Sequence, residues 1–352
     1  MSDPAPLGLA FVGCFTTERR RARGQGIDVY RTGNGLEGWT HLGRVEGLTN
    51  PSFLITDPRR AALYTVQGDG AEASAFAAAP DGTLGALGSA ATGGTNSVHQ
   101  ALDPTGRFLI VANYASGSVA LLPIRPDGGL EPACHVLPLP GDPGPHRTEQ
   151  ACAHPHHVVL SPDGRHVLVP DKGVDRVFVL AVEGERLAIV SETAMRPGAG
   201  PRHIAFHPRV PLAFLVNELE SSIATCRWDA EAGTLTPLHL TPTLPPDVFS
   251  ASTAAAIVVT PDGRSVYASN RGQDGIARFR VDAEAGRLDP TGWTPAGGHD
   301  PRFMTLAPDG RHLLVANEQG DSLVEFAIDP VNGDLTKTGT RPSLSPCTIA
   351  FL

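Results

Sequence analysis

DPRFMTLAPDGRHLLVANE, residues 300–318, reads as two apolar runs around a Pro-Asp-Gly turn, with the turn proline at 308 and an asparagine at 317. This is hairpin chemistry: the proline presets φ at the start of the turn, and the glycine takes the left-handed position that follows. The pattern recurs as NPSFLITDPRRAALYTVQG from Asn50, NSVHQALDPTGRFLIVANY from Asn96, HPHHVVLSPDGRHVLVPDK from His154, GPRHIAFHPRVPLAFLVNE from Gly200 and TAAAIVVTPDGRSVYASNR from Thr253. The turn prolines are Pro58, Pro104, Pro162, Pro208, Pro261 and Pro308. Nine residues after each stands Gln67, Asn113, Asp171, Asn217, Asn270 or Asn317. Six equal spacings ending on an amide or acid define a repeat of about 40–50 residues, the period of a propeller or solenoid.

A third alternating run follows each amide column, as in SGSVALLPI (116–124) and VDRVFVLAV (174–182), and a further turn leads to a fourth strand. Four strands per unit is the blade of a β-propeller, whose radial repetition leaves only short, protected edges. The chain ends in PCTIAFL (346–352), which stands where a first strand should, while LGLAFVGCF (7–15) and GIDVYRT (26–32) read as second and third strands. The expected fold is therefore all-β: a seven-bladed propeller of four-stranded antiparallel blades, with the last blade closed by N- and C-terminal strands and residues 1–352 forming one domain. Longer connections fall between blades, at roughly 134 to 153 and 239 to 253.

Composition agrees, since 39 Gly and 32 Pro among 352 residues suit many short strands and tight turns. A formal net charge of −9 with scattered basic residues argues against a nucleic-acid partner. Arg19, Arg20, Arg21 and Arg23 form a short run read foremost as a solvated loop, with an anion-attracting rim as the alternative. Five cysteines without close pairing fit a reducing compartment, and no stretch reaches the apolar length of a membrane span. A cytoplasmic protein is expected, a monomer or weak homo-oligomer.

Ligands of propellers commonly sit at the mouth of the central channel, so the residues entering each first strand are the place to look. Six positions before each turn proline stand Ser52, Val98, His156, Arg202, Ala255 and Arg302, with Cys347 in the shared blade; one position later stand Phe53, His99, His157, His203, Ala256, Phe303 and Thr348. After the amide column come Gly68, Tyr114, Lys172, Glu218, Arg271 and Glu318. A structural position needs the same residue in every blade and a site needs different ones. The amides thus read as turn caps, and His156, Arg202, Glu218, Arg271 and Arg302 as a site. His99, His157 and His203 each read as strand histidines bonded near the core, with His203 also a candidate substrate contact. HPHH offers no metal site, because alternation would put His156 and His157 on opposite faces and no carboxylate or cysteine stands at ligand spacing. There is no GxSxG, P-loop or dinucleotide fingerprint, so neither a metal nor a cofactor is expected.

SPDGRHVLVPDKGVDRV, GPRHIAFHP with VNELES, and SNRG together resemble the lactonase family of seven-bladed propellers, which includes sugar-lactone hydrolases and carboxymuconate-lactonising enzymes. The resemblance covers essentially the whole chain. It implies a catalytic set of His156, with His154 as the competing alignment, Arg202, Glu218 and Arg271. Lactone hydrolysis needs an activated water, an oxyanion stabiliser and an anchor for the substrate's anion. Glu218 or His156 is the candidate base and Arg202 the oxyanion partner, with Arg271, Arg302 and Arg147 on a phosphate or carboxylate. The expected partner is a small anionic lactone, foremost 6-phospho-D-glucono-1,5-lactone. Muconolactone cycloisomerisation and non-catalytic ligand binding are the alternatives.

Overall fold

A computed structural model describes residues 8–352. Among them, twenty-eight strands, β1–β28 in chain order, form seven sheets of four. Six are unbroken meanders: blade one spans 51–91, blade two 97–138, blade three 159–194, blade four 201–242, blade five 253–295 and blade six 301–342. The seventh runs in the order β28–β1–β2–β3, joining β28 (Pro346–Phe351) to β1 (Leu9–Cys14), β2 (Ile27–Arg31) and β3 (Thr40–Val45). Phe11 pairs with Ala350 and Val12 with Ile349, and Leu9 and Leu352 exchange backbone hydrogen bonds of 2.9 Å in each direction. The seven blades and the shared closure are thus those the repeat implies.

The second strands are continuously apolar because both of their faces are covered. In FLIVA (108–112), Phe108 and Ile110 pack on Val167, Val169 and Phe178 of blade three, while Leu109 and Val111 pack on Tyr64 and Val66 of blade one. Burying a side chain of this size stabilises by about 1.5–3 kcal/mol, and each blade depends on both neighbours for it. Fourth strands lie at the rim and are mostly exposed, as in β3. The amide column is structural: Asn113 Nδ2 donates to the Thr92 carbonyl at 3.2 Å, and Asn270 Nδ2 to that of Thr243 at 3.0 Å, tying each second strand to the connection that enters its blade. Asp171 does the equivalent by accepting the His154, Gly173 and Val174 N–H groups.

β1 passes closest to its neighbour at Gly13. A Cβ there would lie 2.3 Å from the Pro51 carbonyl oxygen and 2.7 Å from Thr348 Cγ2, so only glycine fits. The long connections begin later than expected, because β11 (His135–Pro138) and the end of β19 (Thr234–Pro242) extend the rim strands into them.

Candidate active site

Each first strand enters its blade with a step out of register. In blade four Pro201 pairs with Asn217 and His203 with Val216, leaving Arg202 without a partner. Ser52, Val98 and Arg302 are left over in the same way in blades one, two and six, and Cys347 in blade seven. Such a β-bulge re-aims the extra side chain, so two successive residues reach the channel instead of one. In blade three the irregularity is larger: Pro155 bridges Asp171, and the regular ladder starts only at Val159. The strict alternation expected for HPHH therefore does not hold. His156 lines the pocket at the channel mouth, and His157 stacks on His203 at 4.5 Å.

That pocket encloses about 400 Å³ including its open mouth. Arg20, Arg202, Arg302, His156 and His203 line it with Phe15, Ser52 and other uncharged residues, and among the described residues no carboxylate lines it. Arg202 is 2% exposed, and its NH1 donates to the Ala255 carbonyl. Guanidiniums with no acid among the lining side chains give the pocket a positive potential.

The acid sits behind this wall. Glu218, 6% exposed, places Oε2 2.9 Å from Arg202 Nε, and Oε1 2.8 Å from Lys172 Nζ and 3.2 Å from Arg271 NH2. Burial alone would raise its pKa, but Arg271, Lys172 and Arg202 outweigh burial and hold it well below the usual carboxylate range. Glu218 is thus committed to three cations, and the lowered pKa makes it a weaker proton acceptor than an ordinary carboxylate. Lys172, a charged member of the column after the amides that the catalytic set leaves out, is its closest partner. Burial would lower the Lys172 pKa, but Glu218, with Tyr114 and Glu149, raises it. Glu149 Oε2, from the 139–158 connection, lies 2.6 Å from Lys172 Nζ.

Two expected anion contacts lie elsewhere. Arg271 is absorbed by Glu218 and the Ala254 carbonyl and does not line the pocket, and Arg147 stands exposed on the connection, where Glu149 reaches inward instead. His154 stacks on Tyr114 at 4.4 Å and bonds the Tyr114 carbonyl, so of the two alignable histidines His156 is the one at the pocket. Arg302 lines the pocket as expected. The Arg19–Arg23 run is solvated except at Arg20, which turns inward.

Below the pocket, aromatic rings meet across the channel. Phe303 to Phe53, Phe53 to His99, His99 to His157 and His157 to His203 have centroid distances of 6.1, 3.6, 4.1 and 4.5 Å. Burial holds His99, His156 and His203 well below the ordinary value, helped by the neighbouring histidines and Arg202 at His99 and His203 and by Arg202, Arg302 and Lys172 at His156. His157 keeps partial access to the channel interior but is surrounded by protein, and its pKa is pushed down to about 3. Among the described residues no three His, Cys, Asp or Glu side chains are grouped to hold a metal ion.

These histidines are neutral when folded and bind protons near pH 6.5 when unfolded, so the stability they carry is present above that pH and is lost as pH falls toward the folded values. Between pH 7 and 5.5 the loss is about 1 kcal/mol for each of four histidines. We expect Tm to drop by roughly 5 °C over this interval in a thermal melt. His99→Phe, which copies the residue blades one and six use in this column, should flatten the dependence; a Tm unchanged across the interval would show that the rings are not buried as described.

The matching family model, described as "Lactonase, 7-bladed beta-propeller", covers residues 9–351. A protein of Bacillus subtilis named 6-phosphogluconolactonase is 29% identical over 283 residues, 80% of this chain and 79% of its own. The crystal structure of a putative 6-phosphogluconolactonase from Bacteroides fragilis superposes with a TM-score of 0.90 at 28% identity, covering 99% of this chain and 100% of that one. The structure of a periplasmic gluconolactonase from Pseudomonas aeruginosa gives 0.88 at 30% identity, covering 98% and 99%. Fold, channel-mouth pocket and whole-chain match agree, and the chain belongs to the lactonase family of seven-bladed β-propellers.

Proposed function

We propose that this lactonase hydrolyses 6-phospho-D-glucono-1,5-lactone to 6-phosphogluconate, in the pentose phosphate route, at the channel-mouth pocket. The observation that carries the reading is the pocket wall itself: three guanidiniums and two neutral imidazoles with no carboxylate among them. His156 is the base. It is uncharged at neutral pH because burial and then Arg202 lower its pKa, and its Nδ1 has no partner within the described residues. It takes a proton from a water as that water's oxygen bonds to the lactone carbonyl carbon, and Arg202 faces the oxyanion that forms. Collapse breaks the bond to the ring oxygen, which receives the proton back from His156, and the product carboxylic acid ionises. Glu218 stabilises the passing imidazolium and holds Arg202, and Arg302 meets the phosphate. The relatives named 6-phosphogluconolactonase support the phosphorylated substrate. Five free cysteines fit the cytoplasm, and among the described residues no helix is long and apolar enough to cross a membrane.

The test is hydrolysis of freshly generated lactone above its spontaneous rate, with EDTA present and Arg202→Ala alongside. Wild type should exceed background and the variant should lose about 10²–10³-fold in kcat. The acid limb of kcat/KM should fall below pH 6.5, because His156 protonates below its ordinary value. No rate above background would overturn the reading and shift the site to muconolactone chemistry or to ligand binding alone.

A further inference from the structure

The chemistry above leaves Arg20, Phe15 and Ser52 unused, although all three line the pocket. Arg20 ends a short 3₁₀ turn (Glu18–Arg20) between β1 and β2. Asp69 grips it from blade one, taking Nε at 2.8 Å and NH2 at 2.7 Å. Asp69 is itself placed by Asn50 Nδ2 at 3.0 Å and by its own N–H donating to Asn96 Oδ1 at 2.9 Å. This fork fixes the guanidinium plane and leaves NH1 without a partner among the described residues.

Arg302 comes from the bulge of blade six. Its counter-ion is Glu318 at 3.4 Å, and none of its N–H groups makes a hydrogen bond within the described residues. The guanidinium carbons of Arg20 and Arg302 each lie 4.9 Å from the Phe15 ring centroid, so the ring and the two charges form one unit. Ser52 Oγ is buried at the same pocket without a partner. Ser52 Oγ is withdrawn from water without a partner, and the two guanidiniums, still partly exposed, keep N–H donors that no group among the described residues takes, so an anion with several oxygens satisfies all three together. A carboxylate is planar and is satisfied by one fork, whereas two guanidiniums and a hydroxyl from three blades match the three terminal oxygens of a phosphate monoester.

We propose that Arg20, Arg302 and Ser52 form a phosphate-monoester seat, and that Arg20 is the residue by which the enzyme distinguishes a phosphorylated lactone from its neutral counterpart. The proposal rests on the lactonase reading for its substrate but not for its anion. Arg202 and His156 then work on the carbonyl while the phosphate end is held beside Phe15.

The experiment compares kcat/KM for 6-phosphogluconolactone and glucono-1,5-lactone in wild type and Arg20→Gln, and measures inorganic phosphate binding by calorimetry. Arg20→Gln should cut the preference for the phosphorylated substrate about tenfold or more, mostly through KM, and weaken phosphate binding by a similar factor. Ser52→Ala breaks no ion pair and supplies the same readouts if Arg20→Gln fails to fold; a loss of about threefold is expected. Preference and phosphate affinity both within about twofold of wild type in the folded variants would overturn the seat. If wild type hydrolyses neither lactone, the lactonase reading fails, and the calorimetric arm alone decides the seat.

Discussion

Glu218→Gln should lower kcat/KM for the lactone about 10²–10³-fold and at the same time lower Tm by roughly 5 °C. The substitution keeps size and shape but removes the charge that Arg202, Lys172 and Arg271 share. Removing one partner of a buried ionic cluster costs about 3–5 kcal/mol, because the charges left behind remain out of water. The rate falls for a related reason: without its 2.9 Å partner, Arg202 is no longer held on the carbonyl side of the pocket. Stability and activity should then separate in a second variant. Glu218→Gln with Lys172→Met removes one stranded cation and should recover part of the Tm with none of the rate, a non-additivity that a double-mutant cycle reads directly. Full activity in Glu218→Gln would mean that Arg202 is positioned by its carbonyl contacts alone.

Deleting residues 346–352 should leave no folded protein at all. β28 is the innermost strand of blade seven, with Cys347, Thr348, Ile349 and Ala350 all at 9% exposure or less, and it covers the edge of β1. Its loss strips Phe11 and Val12 of their ladder partners and leaves blades six and one with no wall between them. Whole domains are stable by only about 5–15 kcal/mol, and opening the ring exceeds that margin. Circular dichroism and solubility after expression measure the outcome. A soluble, cooperatively melting truncation would show that six blades and an open sheet suffice.

The repeat was legible because its turns and amides must recur. The turn proline and the amide or acid nine positions on stand at the same place in six blades, so the period could be read from spacing alone. The bulge was not legible, because an extra residue in a ladder requires no particular side chain: Ser52, Val98, Arg202 and Cys347 all occupy it. Missing it led to the expectation that His156 and His157 point apart. Arg202, Glu218 and Arg271 were correctly grouped, but which of them meets solvent and which stands behind depends on packing depth. Arg20 was hidden for another reason: it is one of four arginines in five residues, and only Asp69, forty-nine residues away, singles it out.

The ring contacts of Phe303, Phe53, His99, His157 and His203 fill the channel next to the pocket with side chains. In the proposed reaction the neutral ester becomes a carboxylate while the phosphate stays, so what must leave carries one more negative charge than what entered. It leaves past the same guanidiniums that drew the substrate in. Capture and clearance are set against each other in that reaction, and product release is expected to weigh on its turnover.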